Sequence, residues 1–460
     1  MKQKLIITAF SLTIVFSCSQ REQKTEVVTK INDEIELVKS PPEWSKNSTI
    51  YEVNLRQYSH EGTIEAFRND LGRIKELGID ILWFMPIHPI GEKNRKGTEG
   101  SYYSVKDYKQ IHSDYGTIED FKSLVSEAHK LGMHVILDWV ANHTAFDNIW
   151  IEQGHDDWYT PDSNGNIQPP IGTDWWDVAD LDYDNFEMRS AMIEAMKFWV
   201  TECDIDGYRC DVADWVPVDF WNEARRALDS IKPVFMLAEA ENPELHEKAF
   251  DMSYGWEFHF IMNDVAQGNK SVKHIRDYLK GNAKRFEKDA YRLHFTSNHD
   301  ENSWKGTVEE RLGKSKKAFA VLAATIEGMP LIYNGQEGGL NKRLEFFEKD
   351  TIEWGDWSMS DFYTPLLNLN KENEALWNGN FGGDIRLLNP EKDTINLAYS
   401  REKGNSGVIC LFNFSNQNST VRIDFSGLSG RYTELYEKDT LNLNDSLIAL
   451  QPWEFKLYHK

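Results

Sequence analysis

Eight short runs rich in β-branched and aromatic residues recur along most of the chain, and amphipathic stretches separate most of them. The runs are TIYEVNL (49–55), IDILWFMP (79–86), HVILDWV (134–140), IDGYRCD (205–211), VFMLAEA (234–240), MSYGWEF (252–258), YRLHFTSN (291–298) and MPLIYNG (329–335). Between them, TIEAFRNDLGRIKELG (63–78) and TIEDFKSLVSEAHKLG (117–132) carry apolar residues at helical spacing and close on Gly78 and Gly132. Eight strands alternating with helices predict an α/β fold, a (β/α)8 barrel of the TIM type over residues 45–370, in preference to an open doubly wound sheet.

Two segments break this rhythm. Residues 144–186, rich in Asp, Gly, Pro and Trp, separate the third strand from a helix expected near Glu187, far longer than an ordinary connection. They predict a small lobe inserted after strand 3 on the functional face. Beyond about residue 375 helical patterns stop, and INLAYSRE, GVICLFNFS and STVRIDFSG alternate with turn residues. A C-terminal antiparallel β-sandwich over 375–460 is the expectation.

The other end carries an address. MKQKLIITAFSLTIVFSC has two lysines, an apolar run too short to span a bilayer comfortably, and then Val15-Phe16-Ser17-Cys18, which resembles a bacterial lipoprotein signal. On that reading residues 1–17 are a signal peptide, Cys18 bears the lipid, and the polar stretch 18–44 with Pro41-Pro42 is a tether. Membrane attachment is then through the Cys18 anchor only, and the location is the bacterial cell envelope, on the periplasmic side or the cell surface. Cys203, Cys210 and Cys410 are left, an odd set with no disulfide framework.

Charge narrows the ligand. The 74 acidic against 51 basic residues give a net charge of −23, which repels phosphate backbones and argues against nucleic acid or an anionic membrane surface as partner. A neutral ligand fits better, and 16 tryptophans and 18 tyrosines supply flat faces for uncharged rings, although core packing accounts for most of them.

In a β/α barrel the residues at the C-terminal strand ends face the active-site mouth. Asp138, Asn142 and His143 fall there after the third strand, Arg209 and Asp211 at the fourth, Glu239 at the fifth, His299 and Asp300 after the seventh. A lone acid at such a position is more often a helix cap, but several together suggest cleavage of an acetal. That reaction needs one acid to protonate the leaving oxygen and one carboxylate to meet the positive charge at the anomeric carbon. Arg209, two residues before Asp211, points to the same side of its strand and can hold that carboxylate ionised.

DWVANH (138–143), DGYRCD (206–211), LAEA (237–240) and SNHD (297–300), in that order, resemble the four core motifs of the α-amylase family of glycoside hydrolases; GIDILWFMPI, YYSVKDY (102–108) and GMPLIYNGQE (328–337) extend the likeness over nearly all of 45–460. The resemblance implies a retaining α-glucan hydrolase acting mainly on α-1,4 bonds of starch-like polysaccharides or maltooligosaccharides. It implies Asp211 as nucleophile, Glu239 as acid/base and Asp300 as the carboxylate that grips the sugar. It also implies His143 and His299 as sugar donors and Tyr103 as a stacking platform, with Arg209 beside the nucleophile. Asp138 and Asn142 read as scaffold, while Trp158, Trp175 and Trp176 are candidates either for further sugar units or for core packing.

The chain departs from the family where many members carry Lys-His, three and four residues after the nucleophile. Asp214 and Trp215 stand there. This removes a usual substrate contact and weakens the family's calcium site, so no metal is required for the chemistry and a structural calcium, with Asn142 and Asp180 as oxygen donors, stays open. Transglycosylation on the same residues is the nearest alternative. A non-catalytic glucan-binding protein is the alternative from another class, but it would lack a carboxylate and none is missing.

Overall fold

The computed structural model describes residues 40–390 and 392–460; the signal reading, Cys18 and most of the tether lie outside the described residues. Eight parallel strands close into a barrel: β1 (Ile50–Val53), β2 (Ile81–Phe84), β3 (His134–Trp139), β4 (Gly207–Cys210), β5 (Phe235–Ala238), β6 (Met252–Tyr254), β7 (Tyr291–Phe295) and β8 (Met329–Tyr333), each beside its sequence neighbours, with β8 against β1. Every run expected as a strand forms one.

Alternation along the strands creates two cores. Tyr51, Val53, Leu82, Phe84, Val135, Leu137, Tyr208 and Cys210 face the surrounding helices, whereas Ile50, Ile81, Trp83, Ile136, Phe235 and Leu237 fill the barrel. The same period of two carries Glu52, Asp138 and Arg209 into the barrel interior, one layer nearer the C-terminal mouth than Ile50 and Ile136. Gly207 opens β4 because a Cβ there would lie 1.9 Å from the carbonyl oxygen of Phe235.

The helical expectations hold with one correction. Residues 117–132 form a single helix, Ile118–Lys130, whose Thr117 and Asp120 make a capping box. The stretch 63–78 instead forms two short helices, Ile64–Arg68 and Leu71–Leu77, because the turn breaks at Asn69 and Asp70 and a left-handed Gly78 ends the second. The inserted segment is tied down by an antiparallel ladder pairing His143–Ala145 with Val178–Asp180, and the next helix starts at Phe186, capped by Asn185.

The C-terminal module is antiparallel throughout. Its larger sheet joins β9 (Arg386–Leu387), β10 (Asn396–Lys403), β11 (Ser406–Asn413), β13 (Thr433–Glu434) and β15 (Phe455–His459) in the order β9-β10-β11-β15-β13, and β12 (Ser419–Arg422) pairs with β14 (Leu447–Leu450). Buried Arg401 fastens it to the barrel by donating to the carbonyls of Thr325 and Ile326, which precede β8. Cys203, Cys210 and Cys410 are buried and, among the described residues, form no disulfide. Among the described residues no helix is long and apolar enough to cross a membrane.

Candidate active site

Arg209 organises the mouth of the barrel. Its Nη1 donates to Asp138 Oδ1 at 2.8 Å and Asp211 Oδ1 at 2.9 Å, and Nε to the Tyr254 hydroxyl at 3.2 Å. Nη2 lies 2.8 Å from Glu239 Oε2, an ion pair that lacks hydrogen-bond alignment. One guanidinium, wholly buried and set against the ring of Trp83, therefore meets three carboxylates. A buried charge this well paired holds its proton, and the Arg209 pKa lies well above its ordinary value even though burial alone would lower it.

The carboxylates respond differently. Burial pushes the Asp211 carboxyl up to about 6 against the pull of Arg209, and Asp138 and Asp300 add to the rise. Burial likewise raises Glu239 to about 7, opposed by Arg209 and reinforced by Asp211 and Asp300. The Asp300 side chain is the open one, 37% exposed against 11% for Asp211 and 13% for Glu239. Glu239 Oε2 also accepts the backbone N–H of Val212 at 2.9 Å. Val212 makes that contact from a left-handed backbone, φ +36°, which a β-branched residue rarely adopts.

A second chain of contacts runs across the floor. Tyr103 donates its hydroxyl to Asp138 Oδ2 at 3.0 Å and meets His299 Nε2 at 2.8 Å, with its ring stacked on the imidazole. His143 lies against the backbone of Tyr103 and is kept neutral by burial, which lowers its pKa to about 3. Tyr103, His143 and His299, with Asp211, Glu239 and Asp300, line one cleft of about 720 Å³ whose walls include Trp175, Trp176, Trp304, Phe346 and Phe347.

The structure thus brings together all seven residues expected at the site: Asp211, Glu239, Asp300, Tyr103, His143, Arg209 and His299. Asp138 stands beneath them as support. Trp175 and Trp176 reach the cleft, and Trp175 stacks on Trp215 at 5.2 Å. Trp158 does not reach the cleft; it is buried against Trp150 and His155, so it belongs to the packing of the lobe. Sequence reasoning missed Glu52, Trp304, Phe346 and Phe347. Glu52 had a signal, an acid in an otherwise apolar strand; Trp304 sits on the π-helical turn Glu301–Lys305 and Phe346 and Phe347 on a loop, and their approach depends on closure of the barrel.

Asn142 Nδ2 is turned to His143 Nδ1 at 3.3 Å, and burial, with Asp182 nearby, holds the Asp180 carboxyl above its usual range. Among the described residues no group of three or more His, Cys, Asp or Glu side chains converges on a metal position. Asn142 and Asp180 would be the side chains to hold a calcium ion, and no step below depends on it.

Residues 44–363 match the family model of the α-amylase catalytic domain. The chain belongs to the α-amylase family of glycoside hydrolases. It is 30% identical over 405 residues to α-amylase 3 of Dictyoglomus thermophilum, 78% of this chain and 76% of that one. It is 26% identical over 401 residues to α-amylase MalA of Haloarcula japonica, covering 83% of this chain but 57% of that longer relative. Among solved structures, the maltogenic α-amylase AmyB of Thermotoga neapolitana superposes with a TM-score of 0.82 at 31% identity, over 90% of this chain and 98% of the other. The family assignment makes the protein a glycoside hydrolase with the fold of its structural relatives.

Proposed function

We propose that this α-amylase-family enzyme cleaves α-glucosidic bonds, mainly α-1,4, in maltooligosaccharides or starch-like glucans by double displacement. The observation that carries the reading is the pair Asp211 and Glu239, largely enclosed, both ion-paired to one guanidinium, and both with carboxyl groups raised toward neutrality. Sharing Arg209 favours the close spacing of about 5–5.5 Å used by retaining enzymes over the roughly 6.5–9.5 Å that leaves room for an attacking water. Protonated Glu239 gives its proton to the glycosidic oxygen as the C1–O bond breaks, and ionised Asp211 forms the ester to C1 from the opposite face. Glu239 then takes a proton from water, whose oxygen displaces Asp211 and restores the α configuration. Asp300, His299 and His143 hold the sugar. The substrate class rests on the family and on relatives whose names are α-amylase and maltogenic α-amylase. Incubation with maltooligosaccharides, pullulan and starch, with products resolved by size and anomer, tests it; release of β-anomers, or no cleavage of any, would overturn it.

The exposed Trp215, stacked on Trp175 at the cleft wall, favours a second outcome of the same intermediate. An aromatic face there can seat a sugar hydroxyl donor in place of water, so products longer than the substrate are expected at high maltotriose.

The raised carboxyls set a pH dependence. Asp211 must be ionised, so kcat/KM rises as pH passes about 6; Glu239 must hold a proton, so it falls as pH passes about 7. The expected profile is a narrow bell between the two, and a plateau running to pH 9 would remove Glu239 as the acid. The lipoprotein reading at the N-terminus carries its own expectation: Cys18→Ala transfers the protein from the membrane fraction to the soluble one, and an unaltered protein that is already soluble counts against the anchor.

A further inference from the structure

Glu52 is a buried acid that the mechanism above does not use. It projects from β1 into the barrel, has no exposed surface, and places Oε1 2.5 Å from His299 Nδ1, while its Oε2 has no hydrogen-bond partner among the described residues. His299 is itself 2% exposed, and its other nitrogen meets the Tyr103 hydroxyl and lies 3.4 Å from Asp300 Oδ2. The imidazole is therefore held between two carboxylates, one sealed in the barrel and one facing the cleft. We propose that Glu52 is a positioning residue that keeps His299 doubly protonated, so that Nε2 is a fixed donor toward Asp300 and the sugar.

The proton inventory supports this. A neutral imidazole has one N–H; with Nδ1–H directed at Glu52, Nε2 would be a lone pair facing the Asp300 carboxylate and would repel it. The doubly protonated ring satisfies both sides. The charged and titratable groups facing it are Glu52 on β1, Tyr103 after β2, Asp138 on β3, Arg209 on β4 and Asp300 after β7. Burial and Arg209 oppose the imidazolium, Asp300 and Glu52 favour it, and the balance carries His299 up to about 9. Glu52 feels the same burial in the opposite sense, which raises its own carboxyl while His299 holds it down. Arg209 also holds that carboxyl down, but among the described residues Oε2 makes no hydrogen bond, so His299 is the group to which Glu52 is hydrogen-bonded.

The proposal rests on the cleft being the reaction site, and its test is separable from that. Glu52→Gln keeps the shape and can still accept Nδ1–H, but it withdraws the charge. His299 then loses its second proton near neutrality and regains it as pH falls. The expected deficit in kcat/KM on maltotriose is at least about tenfold at pH 7.5 and under about threefold at pH 5.5, because a lowered imidazole pKa restores the cation only on the acid side. A structural ion pair would give the same deficit at both values, and that result overturns the proposal. In a His299→Gln background, where no proton is left to control, Glu52→Gln should cost less than about twofold; an undiminished cost there also overturns it. If the single variant does not fold, a double variant that does fold still places the action of Glu52 on His299, whereas failure of both makes Glu52 a structural acid and ends the proposal. None of these outcomes alters the behaviour expected of Asp211 variants, so the two readings fail independently.

Discussion

Asp211→Asn lowers turnover of maltotriose by roughly 10⁴-fold or more, about 5 kcal/mol of barrier, while the protein stays folded and binds glucan. The size follows from the step that is lost: an amide cannot form the ester to C1, and the residual rate is what the cleft achieves by binding alone. Folding should survive because Arg209 keeps Asp138 and Glu239 as partners. It should even profit slightly. Burial holds the Asp211 carboxyl above its ordinary range, so its ionised form weighs against the fold at neutral pH, and a neutral isostere removes that cost. Tm is therefore expected to equal or exceed that of the parent. If Asp211→Asn remains folded, binds maltotriose and turns it over near the original rate with configuration retained, Asp211 is not the nucleophile.

How much of this was legible in the sequence depends on how far apart in the chain the interacting groups lie. The barrel was legible because each strand is an apolar run bounded by turns, and position at a strand end tells which residues reach the mouth. Arg209 and Asp211 were readable as partners because two residues of strand separate them, one full pleat. Asp138 was readable only as scaffold for its loop; its bond to Arg209 spans 71 residues and arises from the β3–β4 register that sets the two opposite. Glu52 was not, since its partner His299 lies 247 residues away and the contact exists only once β1 closes against β8. Trp304 and Phe346, 5.2 Å apart across the cleft wall, are likewise joined by closure and not by local pattern. Trp158 and Trp175 look alike in sequence, and only packing separates the one that fills the lobe from the one that faces the cleft. The broken helix at 69–70 shows the other limit: apolar spacing continued through Asn69 and Asp70, but the backbone turned there.

The second large effect separates the two jobs assigned to Glu239. In the first step its proton goes to the leaving oxygen, which matters in proportion to how poor that leaving group is. Glu239→Gln should cut hydrolysis of maltooligosaccharides by about 10³-fold, within the 10²–10⁴ range of general acid catalysis, yet leave the initial release of nitrophenol from a nitrophenyl α-maltoside within about tenfold of the parent. In the second step the same side chain takes the proton of the attacking water, so the aryl substrate should give a burst and then stall as the ester on Asp211 accumulates. Azide carries no proton that must be removed. It should therefore restore steady turnover and yield the α-glycosyl azide, because it attacks from the face that water would use. The alkaline limb near pH 7 should vanish with the group that causes it. Equal losses on the two substrates, with no burst and no rescue by azide, would mean that another group supplies the proton and that the raised carboxyl of Glu239 serves only to neutralise Arg209.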